Sequence, residues 1–114
     1  RRMSEEFGGK DMETVRLFDA YGALLTDRQR KIAELYYNYD LSLGEIAEEN
    51  GVSRQSVSDC LGKVDRRLKE YEKKLGFVCT AKRVSAWAER LKAERPELTD
   101  RAEELAEILE RRDG

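Results

Sequence analysis

Apolar residues recur along this chain at intervals of three and four, the repeat of one face of a helix. From Met12 to Leu25 they fall at Leu17, Phe18, Tyr21, Leu24 and Leu25, which predicts a first amphipathic helix behind a polar, glycine-containing lead over residues 1–11. Thr26 followed by Gln29 has the spacing of a reciprocal capping box. It opens a second predicted helix over about Asp27 to Asn38, with Ile32, Leu35, Tyr36 and Tyr39 on one face. Ser42 and Glu45 repeat that spacing ahead of Leu43, Ile46 and Ala47, and Asn50-Gly51 supplies the left-handed residue that stops a third helix after about two turns. Ser53 is placed to cap a fourth helix running from Arg54 to Leu75 and ending at Gly76.

The fourth helix carries Val57, Leu61, Val64, Leu68, Tyr71 and Leu75 in alternating steps of four and three, a heptad seam. Two readings follow. The ordinary one is the core face of a long helix lying on the first two. The sharper one is an interface with a second copy, in which these six residues and Trp87 would hold a homodimer. Beyond Gly76, a stripe of Val84, Trp87, Ala88 and Leu91 begins near Thr80 and is closed by Pro96, with Trp87 expected to anchor the C-terminal helices to the body of the chain or to form an interface hot spot. Thr99 then caps a last helix whose apolar edge is Ala102, Leu105, Ile108 and Leu109. These edges are too narrow to stand alone and must pack on the rest of the chain or on a partner. The expected organisation is a flexible lead (1–11), a helix-turn-helix domain (12–76) and a C-terminal helical extension (77–114).

The stretch from Leu43 to Val57 reads as helix-turn-helix at each position. Ala47 is small where two helices cross, Gly51 permits the positive φ of the tight turn, and Ile46, Val52 and Val57 fill the wedge between the helices. The start of the second helix of such a unit faces a groove of nucleic acid. Arg54 and Gln55 are candidates to read base edges, Ser53, Ser56 and Ser58 to hold phosphate or bases, and Lys63, Arg66 and Arg67, with Lys69, to grip the backbone. Asp59 on the same helix opposes this, as do Glu45, Glu48 and Glu49 on a third helix that has no basic residue. Tyr37 is the exposed candidate for base stacking, since Tyr36 and Tyr39 share the apolar stripe.

Composition narrows the class. Charged residues make up 40% of the 114, with a single proline, as expected for helices with narrow apolar stripes. A formal charge of −2 rules against capture of nucleic acid by the whole surface, so any basic patch is local. Without histidine the usual general base near neutral pH is missing, and the acids are spread along helix faces. Gly9-Lys10 is followed by Asp11, so it is no phosphate-binding loop. We expect no enzyme, no metal site and no cofactor. Cys60 and Cys79 are read as reduced packing residues of a cytoplasmic protein, and no run is long and apolar enough for a membrane span.

The blocks Leu17 to Thr26, Leu35-Tyr36-Tyr37, Asp40 to Glu48 and Val52 to Val57 closely resemble the YlxM-type helix-turn-helix proteins of bacteria, over about Val15 to Leu75. A broader likeness to the promoter-reading region 4 of sigma factors covers about Leu25 to Leu68. The resemblance implies an all-α, winged-helix-like DNA-binding class of fold with a long fourth helix and two C-terminal helices. It further implies a small cytoplasmic protein linked, chiefly through gene neighbourhood, to the signal recognition particle and its receptor, and often described as a candidate regulator. Two functions are carried forward: a nucleic-acid-binding regulator, with DNA or signal recognition particle RNA as partner, and an accessory module that binds a protein of that particle without reading DNA sequence. Both admit a homodimer.

Overall fold

A computed structural model of the chain describes residues 10–110, and those residues form helices joined by short turns, with no strand among them. Of the lead expected over 1–11 only Lys10 and Asp11 fall within this range; residues 1–9 and 111–114 lie outside the described residues. The chain divides into two compact units, Arg1–Leu75 and Gly76–Gly114.

In the first unit, α1 (Met12–Tyr21) starts where the Asp11 carboxylate accepts the backbone N–H of Thr14 at 2.7 Å. It stops four residues short of the predicted Leu25. After Tyr21 the chain tightens into a 3-10 turn over Gly22–Leu24, closed by Leu25 N–H donating to the Gly22 carbonyl at 3.1 Å. That change of pitch swings Leu24 out to solvent and returns Leu25 to the core.

Helix α2 (Asp27–Tyr37) and helix α3 (Leu43–Asn50) each begin with a complete capping box, Thr26 with Gln29 and Ser42 with Glu45. Gly51 ends α3 at φ 67°, a left-handed conformation that costs an L side chain about 1–2 kcal/mol and glycine nothing. Helix α4 (Arg54–Leu75) runs unbroken for 22 residues, and α1, α2 and α3 all pack against it.

Val57, Leu61, Val64 and Leu68 of α4 are all 0% exposed within the single chain. They form its core with Leu17, Phe18, Ile32, Tyr36 and Ile46, and each such side chain stabilises the fold by about 1.5–3 kcal/mol through burial. This corrects the expectation that the seam serves a second copy: these four residues are already covered by the first three helices, and a partner could reach them only by dismantling the core. The outer end of the seam is different, with Tyr71 half-buried and Leu75 exposed.

The tyrosine assignments are also corrected. Tyr37 is buried, with its ring 5.5 Å from that of Phe18 and 5.2 Å from that of Tyr36, while Tyr39 is exposed. The cause is local. Helix α2 ends at Tyr37, so Tyr39 lies in the turn to α3 and leaves the helical register that had grouped it with Tyr36. In that turn Asp40 adopts φ 58°, a conformation aspartate tolerates better than most residues. Lys10 pairs with Asp40 and lies over the Tyr36 ring, 4.5 Å from its centre.

The second unit is a pair of helices. Helix α5 (Phe77–Glu94) begins three residues before the predicted Thr80, directly after Gly76 turns the chain at φ 64°. A 3-10 turn over Pro96–Leu98 leads into α6 (Thr99–Glu110), which packs on α5. Thr99 is the first residue of α6, and its hydroxyl donates to the Pro96 carbonyl at 2.8 Å. Lys92 joins the two helices, reaching Glu89 at 3.0 Å and Glu103 at 3.8 Å. Ala88 and Ala102 are buried, and Val84, Leu91, Leu105 and Leu109 half-buried. Trp87 is 51% exposed and Ile108 63%, so neither takes an inward place in the α5–α6 pair. The buried edge of α5 follows the smaller Ala81, Val84, Ala88 and Leu91, and Trp87 lies one position off it. Cys79 is exposed, unlike Cys60, and no disulfide joins them.

Candidate nucleic-acid interface

The first turn of α4 is built by Ser53. Its hydroxyl accepts the backbone N–H of Ser56 at 3.0 Å and its carbonyl accepts that of Val57 at 3.2 Å, so the predicted cap is made. The cap leaves the Ser53 hydroxyl proton available to an outside acceptor, and α4 presents the positive end of its dipole beside it.

The start of α2 opens onto the same space. Thr26, Arg28 and Gln29 from α2, with Ser53, Gln55, Ser56, Asp59, Cys60 and Lys63 from the α4 side, line one surface groove. Arg28 crosses it, its Nη2 donating to Ser56 Oγ at 3.3 Å. Burial pushes the Cys60 thiol above its usual pKa, opposed by the nearby charges of Arg28 and Lys63. The two cations therefore converge on one stretch of α4. The groove thus joins two helix N-termini, two exposed cations and several hydroxyl and amide groups, the donor set that phosphate oxygens accept from.

Of the residues singled out in the sequence, the groove brings together Ser53, Gln55, Ser56 and Lys63. Arg54 and Ser58 stand on a neighbouring stripe of α4, where Arg54 is exposed and Ser58 half-buried; Arg66 and Arg67 are exposed further along the helix and do not line the groove. Gln55 is engaged within α4, its amide donating to Asp59 Oδ1 at 2.9 Å. The one carboxylate of the groove therefore both repels phosphate and occupies a candidate base reader. Thr26, Arg28 and Gln29 were missed in the sequence as site residues. They belong to a helix outside the helix-turn-helix motif, and only the packing of α2 on α4 brings them there.

None of the acids of α3 lines this groove. Glu45 closes its own capping box, accepting from Ser42 N–H at 2.9 Å, and Glu48 and Glu49 are exposed.

A short α3, a left-handed turn at Gly51 and a long following helix with an open N-terminus define a helix-turn-helix protein. The chain matches over residues 9–108 the family model UPF0122, described as "Putative helix-turn-helix protein, YlxM / p13 like", and belongs to that family. A UPF0122 protein of Halalkalibacterium halodurans is 46% identical over 94 residues, 82% of this chain and 85% of that one. One from Bacillus cereus is 41% identical over 100 residues, 85% and 91% of the two chains. With a UPF0122 protein of Desulforamulus reducens the identity is 51% over 70 residues, and the chain spans 60% of that relative's length.

Proposed function

We propose that this protein is a nucleic-acid-binding regulator that docks the N-terminus of α4 against a duplex, in a cytoplasmic setting connected with the signal recognition particle. The observation that carries this reading is the groove where the N-termini of α2 and α4 open side by side under Arg28 and Lys63. Arg54 and Gln55 are the base-reading candidates, Ser53, Ser56 and Ser58 lend hydroxyls, and Lys63, Arg66 and Arg67 follow the phosphate backbone. No step of this function requires a reaction, and a non-enzymatic binding protein is what the helix-turn-helix family suggests.

The test is fluorescence anisotropy of labelled duplex DNA and of signal recognition particle RNA, each at low and at physiological salt. Binding that survives physiological salt and is lost in the Arg54→Ala/Gln55→Ala double variant is expected; an unchanged affinity in that variant overturns the reading.

One observation favours a second reading. The exposed carboxylates of Glu48 and Glu49 on α3 suit a basic protein surface better than a polyanion. If both nucleic acids bind weakly and salt erases the binding, while the chain is retained by the particle's GTPase or its receptor, the module is a protein-binding accessory.

A further inference from the structure

The groove of the first unit does not use the surface of α5. Trp87, the only tryptophan of the chain, stands half out to solvent, and its ring makes no aromatic or cation contact among the described residues. Arg83 lies one turn before it and Arg90 one turn after it, and with Thr80, Val84 and Ala86 they line a shallow depression. That lining holds two guanidinium groups and no carboxylate. Neither arginine has an ion-pair partner among the described residues, whereas Lys92 on the same helix is engaged with Glu89 and Glu103.

We propose that this face of α5 binds single-stranded nucleic acid, with a base stacked on Trp87 and the adjoining phosphates held by Arg83 and Arg90. An exposed indole with a cation one helical turn to either side has the chemistry of a stacking platform: every base has a π-face, and the flanking guanidiniums track a polyanionic backbone. A second copy of this chain fits less well. A two-fold pairing of this face with itself would set arginines against arginines with no acid in the lining to neutralise them. The site is distinct from the α4 groove, which suits a duplex, and does not depend on that reading being right.

Trp87 supplies its own probe, because the chain's tryptophan emission comes from this surface alone. The full-length protein is titrated with short oligo-dT and oligo-U strands and with a blunt duplex while that emission is read. Saturable quenching by the single strands, stronger than by the duplex, is expected. Arg83→Ala/Arg90→Ala weakens it, and Arg54→Ala/Gln55→Ala leaves it unchanged, so this site and the α4 groove fail separately. By anisotropy of labelled strands, Trp87→Ala loses about fivefold to a hundredfold in affinity and Trp87→Phe retains most of it. Should Trp87→Ala lose helicity by circular dichroism, Arg83→Glu/Arg90→Glu, which alters only exposed side chains, carries the comparison. Emission that no single strand changes, that shifts with protein concentration alone, or that responds equally to strand and duplex overturns the proposal. Quenching by both oligo-U and oligo-dT fits a sequence-tolerant stack; loss of the response in the Arg54→Ala/Gln55→Ala variant also overturns it.

Discussion

At the scale of single residues, the feature of the groove with most leverage is the hydrogen bond from Gln55 to Asp59. A glutamine that is to read a base edge must first give up this partner, and the carboxylate left behind then faces the phosphates. Asp59→Ala removes both obstacles. It is expected to tighten duplex binding by about 1 kcal/mol, roughly fivefold, in an anisotropy titration. Weaker or unchanged binding would show that Asp59 orients Gln55 productively or that Gln55 takes no part. Asp59 was legible in the sequence as an opponent of binding, one helical turn from Gln55; its hold on that side chain was not, because rotamers are chosen by surroundings that periodicity does not describe. The tyrosines show the same limit. Tyr36, Tyr37 and Tyr39 were sorted by helical angle, but α2 ends at Tyr37, one residue before the predicted Asn38, so Tyr39 leaves the helical register, and the Phe18 ring that covers Tyr37 belongs to another helix.

At the scale of elements, what could be read correctly was what four consecutive residues decide. Both capping boxes, the Ser53 cap and the glycine at the end of α3 are local hydrogen-bond or dihedral requirements, and each is met. What could not be read was set by neighbours: the 3-10 tightening after Tyr21, the immediate restart of the helix at Phe77, and the outward turn of Trp87. The Asp11 cap of α1 belongs to the local kind yet went unread, because a polar lead masked it. Its hydrogen bond from the Thr14 N–H holds the Asp11 carboxyl below its ordinary value of 3.8. A carboxylate whose pKa is lowered by folding stabilises the fold above its unfolded pKa and loses that contribution as pH falls through the lower, folded value. Asp11→Ala should therefore cost about 1 kcal/mol at neutral pH, and the difference from the parent should shrink as the pH falls from neutral through the lowered, folded value into acid. Asp11→Asn, whose amide oxygen needs no charge to accept the same N–H, should keep its cap in acid. Urea midpoints of the three proteins at both pH values decide it; a penalty for Asp11→Ala that is independent of pH would mean the cap acts through packing alone.

At the scale of the whole molecule, a formal charge of −2 means that attraction to a duplex must come from a few placed cations and not from a general field. The long seam of α4 does not enlarge that surface by pairing two copies, because its inner residues are consumed by the core; what α4 offers outward is the face carrying Lys63, Arg66 and Arg67, joined by Arg28 from α2. Four phosphate contacts of this kind release their counterions on binding. A plot of log affinity against log salt for duplex DNA should then have a slope of about −3 to −4. Arg28 is the decisive member, since it alone comes from outside the helix-turn-helix. If it grips phosphate, Arg28→Ala should make the slope shallower by about one and weaken all duplex sequences alike, whereas loss of Arg54 and Gln55 should weaken the preferred sequence most and leave the slope nearly as it was. An Arg28→Ala protein with the parent's slope would instead confine that arginine to bracing α2 against α4 through Ser56, and the duplex would then have to lie along α4 alone.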